Sequence, residues 1–558
     1  MPRKILNVCA LLCAAVIGSS LMPSCRGGTA AAATELPHPA DDDRPAGSPA
    51  ELPRVAVELP AGSSNAPVRI LSEGDDLQDA LDDAKPGDVI ALQPGVIFKG
   101  PFTLPMKNGD SWITIRTNVP DGAFPLPGTR VSPAHARLMP VIESDRDFAI
   151  TTETGAHHYR FIGIEVRPRS GVFAHNLISI GDDTSSVDAL PHHIVFERCY
   201  VHGDPSVGGR RGISLNSRHT AVIDSYLGDF KETGNDSQAL AGWNGTGPFL
   251  IVNNYLEAAG ENVMFGGADP DVKNLVPSDI VIRGNHLTKP LAWKKGSPDY
   301  AGKDWAIKNL FELKNARRVL IEGNVFENNW LDAQNGFAIL FTPRNQSGDA
   351  PWSMVRDVTF SRNIVRHTSS GVNILGTDDI HPSQKTKRIT IRDNVFEDVD
   401  GAKWGGAGRL FQILDGPADV MIEHNTGFHT GDVIAGEGDP SSGFVYRNNL
   451  TPHNEYGVGG SNTYGNPAQA LATYFPGVSF VRNAMIGGRA QNYPPDNFFP
   501  STAADVGFVD LAGGNYRLAG NSPYKAAGTD GKDIGADIDG ADVLRGRRRL
   551  VGKTGSEN

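Results

Sequence analysis

Cysteine is scarce in this chain: four in 558 residues, at Cys9, Cys13, Cys25 and Cys199. Three fall within the first 25 residues, so the body holds one thiol and its core alone must stabilise it. Cys199 sits in "FERCYVHG", an alternating pattern in which a lone cysteine serves as a small buried hydrophobe. Long apolar runs are also missing. After Ile5–Met22 no stretch reaches the roughly 18 uninterrupted apolar residues of a spanning helix. Positive charge is in deficit: 52 Lys and Arg against 64 Asp and Glu leave −12, and −14 once Arg3 and Lys4 depart with the leader. That balance argues against general nucleic-acid binding, which needs a basic surface. What is abundant is glycine, 64 residues, beside 38 prolines, a composition of many turns and short strands.

Arg3 and Lys4 followed by the apolar, small-residue-rich Ile5–Met22 read as an export signal in residues 1–25. Two processing readings stand open. Cleavage falls in the Ala30–Ala33 run, or Met22-Pro23-Ser24-Cys25 acts as an imperfect lipobox and Cys25 carries lipid. Either way the protein is exported: secreted, periplasmic or held at the cell surface. Residues 26–66, rich in Ala, Pro and Asp and without periodicity, read as a disordered linker.

The middle of the chain repeats itself. "LIVNNYL", "IVIRGNHL", "VLIEGNVF", "VTFSRNIV", "ITIRDNVF", "VMIEHNTG" and "FVYRNNL" each alternate apolar and polar residues, then turn through a polar pair. Asn254, Asn285, Asn324, Asn363, Asn394, Asn425 and Asn449 hold one slot, at gaps of 31, 39, 39, 31, 31 and 24 residues. Period-two alternation is the strand signal, and self-similarity at 20–50 residues signals a solenoid, propeller or array. A second short strand precedes each copy ("GISLNS", "NVMFGG", "NLFELK", "AILFTP"), with no helical pattern between. Uneven gaps and the absence of a blade signature disfavour a propeller. The expectation is an all-β, single-stranded, right-handed parallel β-helix. Its coils rise about 4.8 Å each, and stacked Asn amides bond to one another and to backbone.

The series resembles the right-handed parallel β-helix superfamily of secreted bacterial, pectate-lyase-like proteins, over roughly residues 150–450. "LQDALDDAKPGDVIALQPGVIFKGPFTL" (Leu77–Leu104) is similar to the N-terminal cap of such proteins, with Leu77, Ala80, Leu81 and Ala84 spaced for a short amphipathic helix. The expected organisation is a cap and first coils in 67–150, the β-helix in 151–450, irregular last coils in 451–545 and a tail in 546–558. The resemblance implies an enzyme on a polysaccharide, most simply a lyase cleaving an acidic, uronate-containing glycan by β-elimination. Glycoside hydrolysis with paired carboxylates and a non-catalytic carbohydrate-binding or adhesive solenoid are the alternatives, since fold does not fix function. A monomer is expected.

Polar residues are densest in Gly228–Asp269 and Trp305–Gln346. In "NLFELK", Glu312 and Lys314 share a strand face two residues apart, and adjacent coils can add Asp236, Gln238 or Glu261. A uronate lyase needs a cation for the substrate carboxylate, a base for the C5 proton and an acid for the leaving oxygen. Lys314 and Lys308 are base candidates, provided burial and neighbouring cations depress them. Glu312 and Glu261 complete the catalytic candidates, and Arg211 and Arg344 are carboxylate-binding candidates. The loop His286–Trp305 combines Lys289, Lys294, Lys295 and Lys303 with Trp293, Tyr300 and Trp305. Flat rings suit sugars and ammonium groups suit uronates, so Trp293, Lys294 and Trp305, with Trp243, are substrate-binding candidates. Asp236, Glu257 and Asp269 are candidates for a calcium site.

Overall fold

In a computed structural model of the protein, residues 36, 44–45, 47–60, 67–181 and 184–538 are described. The expected export signal, with Cys9, Cys13 and Cys25, and the expected tail 546–558 lie outside these residues. No helix among them is long and apolar enough to cross a membrane.

Three parallel sheets of 14, 12 and 13 strands run the length of the molecule, each strand pairing with its equivalent one coil on. The chain is a right-handed parallel β-helix, as its repeats predict. Each full coil contributes one strand to each sheet. In one coil these are Ser278–Arg283 in the fourteen-stranded sheet, His286–Thr288 in the thirteen-stranded and Phe311–Leu313 in the twelve-stranded. Inward residues of equivalent strands stack into columns. Ile178, Ile213, Leu240, Val263, Phe311, Ile339 and Val372 form one. A single buried core runs from Leu71 to Tyr493.

The recurrent Asn slot is the corner between the fourteen- and thirteen-stranded sheets. The residue before it has a positive φ in successive coils: Asn253, Gly284, Gly323, Arg362, Asp393, His424 and Asn448. One left-handed residue turns the chain sharply, a conformation that glycine adopts freely and Asn and Asp tolerate. The following Asn then points inward and is fully buried. Asn285 shows how its amide is satisfied. Its Oδ1 accepts the backbone N–H and the Nδ2 of Asn254 at 2.8 and 3.0 Å. Its Nδ2 donates to the Ile251 carbonyl and to Asn324 Oδ1 at 2.8 and 3.0 Å. The ladder runs past Asn449 to Asn483 and Asn497. At its other end Ser225 and then Cys199 take the slot. Burial pushes the Cys199 thiol up to about 12, so it is the inert small hydrophobe expected.

The end of the stack is covered as the sequence suggests. Helix Leu77–Asp83 buries Leu77, Ala80 and Leu81 and is capped by Asp76. Gln78 exchanges two hydrogen bonds with the backbone of Thr103, on the outermost strand of the twelve-stranded sheet, so an open edge is paired. At the far end helix Pro467–Tyr474 sets Tyr474 against Gly436 and Gly460.

The expected linker 26–66 differs. Within it, residues 44–45 and 47–58 are laid along the stack rather than free of it. The backbone N–H groups of Gly47, Glu51 and Arg54 donate to the side chains of Asp419, Asp357 and Asp279 at 2.7, 3.0 and 2.8 Å, and Glu58 meets His193. Those acceptors belong to a second left-handed column, completed by Arg318 and Arg388, each forked onto the Asp one coil before it.

Replacing Asn363 by Ala strands the Asn324 backbone N–H and removes the Nδ2 bonds to the Ile321 carbonyl and to Asn394 Oδ1, which keeps only the backbone N–H of residue 363. Each unpaired buried group costs about 1–3 kcal/mol. Denaturant titration is expected to show a larger loss for Asn363→Ala than for Asn497→Ala, whose rung ends the ladder and is part-exposed.

Candidate active site

Sheet register sets Asn176, Arg211, Gln238 and Glu261 side by side on successive coils of the twelve-stranded sheet. They form a hydrogen-bonded row. Arg211 donates to Asn176 Oδ1 and Gln238 Oε1 at 3.4 and 3.0 Å, and Gln238 Nε2 donates to Glu261 Oε2 at 2.7 Å. Lys308, on the next coil, reaches back over Glu261 (3.7 Å) to pair with Asp236. A long ammonium side chain thus spans two coil steps. On the strand beside it, Glu312 accepts from Asn309 and Thr342, both at 3.2 Å, with Lys314 Nζ 3.8 Å away. Asp236, Glu261, Lys308, Glu312 and Lys314 therefore lie on one face of one sheet.

Exposure sorts this cluster. The side chains of Asp236, Lys308 and Lys314 are 34%, 17% and 13% exposed, whereas Glu312 keeps 3% and Glu261 none. Burial, then the charge of Asp236, raises Glu261 above the usual carboxyl range, with Lys308 opposing. Burial acts against ionisation of Asp236 too, but the Lys308 ammonium outweighs it and holds that carboxyl low. For Lys308, burial is overcome by Glu261 and Asp236, which hold it above its ordinary value. Lys308 is a fixed cation, which corrects its reading as a base: its neighbours are carboxylates, not the cations that depress a lysine.

The aromatic loop is corrected as well. Trp293 and Trp305 are 6% exposed and pack with Ala259, Ile307, Trp330 and Trp404. Their faces are already occupied. The buried Lys231 ammonium lies 5.1 Å from the Trp293 ring centre and 5.3 Å from that of Trp305, and Lys303 sits 4.0 Å above Trp305. Lys294 covers Trp404 at 5.7 Å. These residues fasten the loop to the coils and present no sugar platform. Trp243 stays half-buried beneath Arg211, 5.3 Å from its guanidinium, at the edge of the row. Arg344 is spoken for by Asp378 and Asp379.

Lys289 is not part of a solvated basic loop. It is fully buried beneath the row, its Nζ 2.6–3.1 Å from the carbonyls of Ala258, Ala259, Gly260 and Asn309 and from Asn262 Oδ1. Five acceptors around three N–H bonds suit an ammonium. Burial pushes it down to about 7, against the raising charges of Glu261 and Glu257. The sequence signal for this cage is slight, one lysine closing the apolar "HLTK" strand end.

The calcium trio does not converge. Asp236 faces Lys308; Glu257 accepts from Tyr255 Oη and the Asp229 N–H on another sheet; Asp269 accepts the N–H groups of Ser347 and Asp349. The donors these carboxylates already hold do not fit a shared cation.

Burial, then Asp229, raises Glu257 from 4.5 to about 7. Its folded state therefore binds the extra proton between those values, and stability falls as pH rises through that window. Glu257→Gln is expected to flatten the fall between about pH 4.5 and 7, read from melting temperature against pH.

No family model matches the chain, and no curated protein matches it. Solved structures do. A mannuronic acid specific polysaccharide family 6 lyase from human gut microbiota is 13% identical, covering 75% of this chain and 88% of its own, at a TM-score of 0.45. The catalytic unit of a thermostable GH87 α-1,3-glucanase from Streptomyces thermodiastaticus strain HF3-3 is 16% identical, over 73% and 66%, at 0.46. Pectate lyase Pel9A is 14% identical, over 82% and 90%, at 0.31. At these identities and scores the likeness is one of fold, which the three parallel sheets already establish.

Proposed function

We propose that the protein is an exported, monomeric, carbohydrate-active β-helix that cleaves an acidic, uronate-containing polysaccharide by β-elimination. The supporting observation is the sign of what reaches the surface. Arg211 on one coil and Lys308 and Lys314 on the third coil beyond it bracket a run of about 15 Å at the spacing of strands, while Asp236 is the one accessible carboxylate of the cluster. On a chain of net charge −12, that local excess of cations favours an anionic chain lying along the sheet.

In this reading Arg211 and Lys308 neutralise the substrate carboxylate, which makes the C5 proton more acidic. Lys314 takes that proton, the C4–O bond breaks as the C4–C5 double bond forms, and the leaving oxygen receives a proton from water, Lys308 remaining the charged partner of the substrate carboxylate. No step passes through calcium. Hydrolysis is the second reading, because Glu261 and Asp236 are pushed in opposite directions, the pattern of an acid and base pair. Glu261 is sealed behind Lys308, however, and a hydrolase needs both carboxyl groups at the glycosidic bond.

A panel of polyuronates distinguishes the readings. A lyase yields unsaturated ends that absorb in the near ultraviolet; new reducing ends without absorbance mean hydrolysis, and binding without turnover means a receptor. Lys314→Ala is expected to lower kcat/KM by roughly 10²–10⁴-fold, the usual scale of a general base, and Arg211→Ala to act mainly on KM. Full activity in both variants overturns the assignment.

A further inference from the structure

A group of histidines far from this sheet face takes no part in the proposed reaction. Two consecutive coils enter the fourteen-stranded sheet through a His–His pair, "GAHHYRF" and "LPHHIVF", and a third follows with "SRHTAVI". Register sets His157 against His192 and His192 against Arg218. His158, His193 and His219 occupy the left-handed bend. That bend turns the second ring of each pair nearly perpendicular to the first, by 85° for His157–His158 and 79° for His192–His193. In both pairs the two Nδ1 atoms face each other at 2.7 Å. Like rings stack from coil to coil at 4.4–4.7 Å. One nitrogen each from His157, His158 and His192 lies within 4.8 Å of the other two, the sole such group of His, Cys, Asp or Glu among the described residues.

We propose that His157, His158 and His192 form a binding site for a first-row transition-metal ion, with zinc as the reference ligand. Three imidazoles plus one open position are an established zinc donor set, and imidazole also suits copper and nickel. The ligands must be neutral. Two nitrogens on a tetrahedral ion at 2.0–2.1 Å stand about 3.3 Å apart. The Nδ1 pair of His157 and His158 therefore has to open by about 0.6 Å, and His192 has to swing about its soft ring torsion. A partner orders the ligands. Glu58 Oε2 lies 3.1 Å from His193 Nε2 and accepts its proton, which leaves His193 Nδ1 to accept from His192 Nδ1 and leaves the lone pair of His192 on Nε2. Arg218 bounds the cluster on the next coil, so the ion belongs between the first two coils. His158 and His192 line a cavity of about 1390 Å³ walled by Trp112 and Phe124, which gives an ion access.

The test is calorimetric titration of the chelator-stripped full chain with zinc chloride, alongside the His157→Gln/His192→Gln double variant and, as control, His381→Ala, a half-buried histidine outside the cluster. One saturable equivalent is expected in the parent and the control. The double variant should lose more than the roughly 10–100-fold that disturbing an outer-shell partner costs. Cobalt substitution supplies a second readout that needs no variant: tetrahedral visible bands are expected on the parent. Absence of saturable zinc binding, equal affinity in parent and double variant, or a purely octahedral cobalt spectrum overturns the proposal.

Discussion

One corner governs this molecule: a single left-handed residue followed by a buried asparagine, repeated coil after coil. The left-handed residue bends the backbone without an insertion, and the asparagine fills the bend with an amide whose four hydrogen bonds are all met by the coils above and below. Because each Oδ1 accepts from the coil before and each Nδ2 donates to the coil after, no coil can slip by one residue without unpairing buried amides along the column. A one-residue slip would also send every inward side chain outward. The ladder and the apolar columns therefore enforce the same register, and a chain with one body thiol needs no cross-link to hold it.

Register is also what makes the site. Arg211, Gln238 and Glu261 are 23–27 residues apart in sequence and adjacent in space only because their strands pair in phase. Loops of any length can leave at the corners without disturbing that phase. The segment between Thr288 and Phe311 does so, and its tryptophans are pinned by Lys231, which comes from an earlier coil. The strap at residues 47–58 uses the same regularity from outside, since Asp side chains on every second coil offer acceptors to an extended backbone.

This explains what could be read in advance. The Asn slots, the strand pairs and the capping helix are local patterns of fixed period, so they were legible. The gathering of Asp236, Glu261, Lys308, Glu312 and Lys314 was legible too, because it follows once coils are aligned. The failures share a cause. Whether Trp293 faces solvent depends on Lys231, some sixty residues away, and no periodicity links them. The strap reads as a linker because its own residues show no pattern; the pattern belongs to its partners, Asp279, Asp357 and Asp419. Lys308 looked like a base until its neighbours proved to be carboxylates.

The same neighbours tie the open face to the interior. From the core outward, the buried Lys289 in its cage of carbonyls, the sealed Glu261, the bridging Lys308 and the open Asp236 alternate in charge type. Each is pushed by the next, for Glu261 opposes the burial of Lys289 and answers to Asp236, while Lys308 holds Asp236 ionised. A proton gained or lost at the sealed Glu261 therefore changes the field at Lys308, a cation that meets solvent. A sheet of fixed register is what allows such a chain of charges to exist, because each member comes from a different coil and none could hold its place alone.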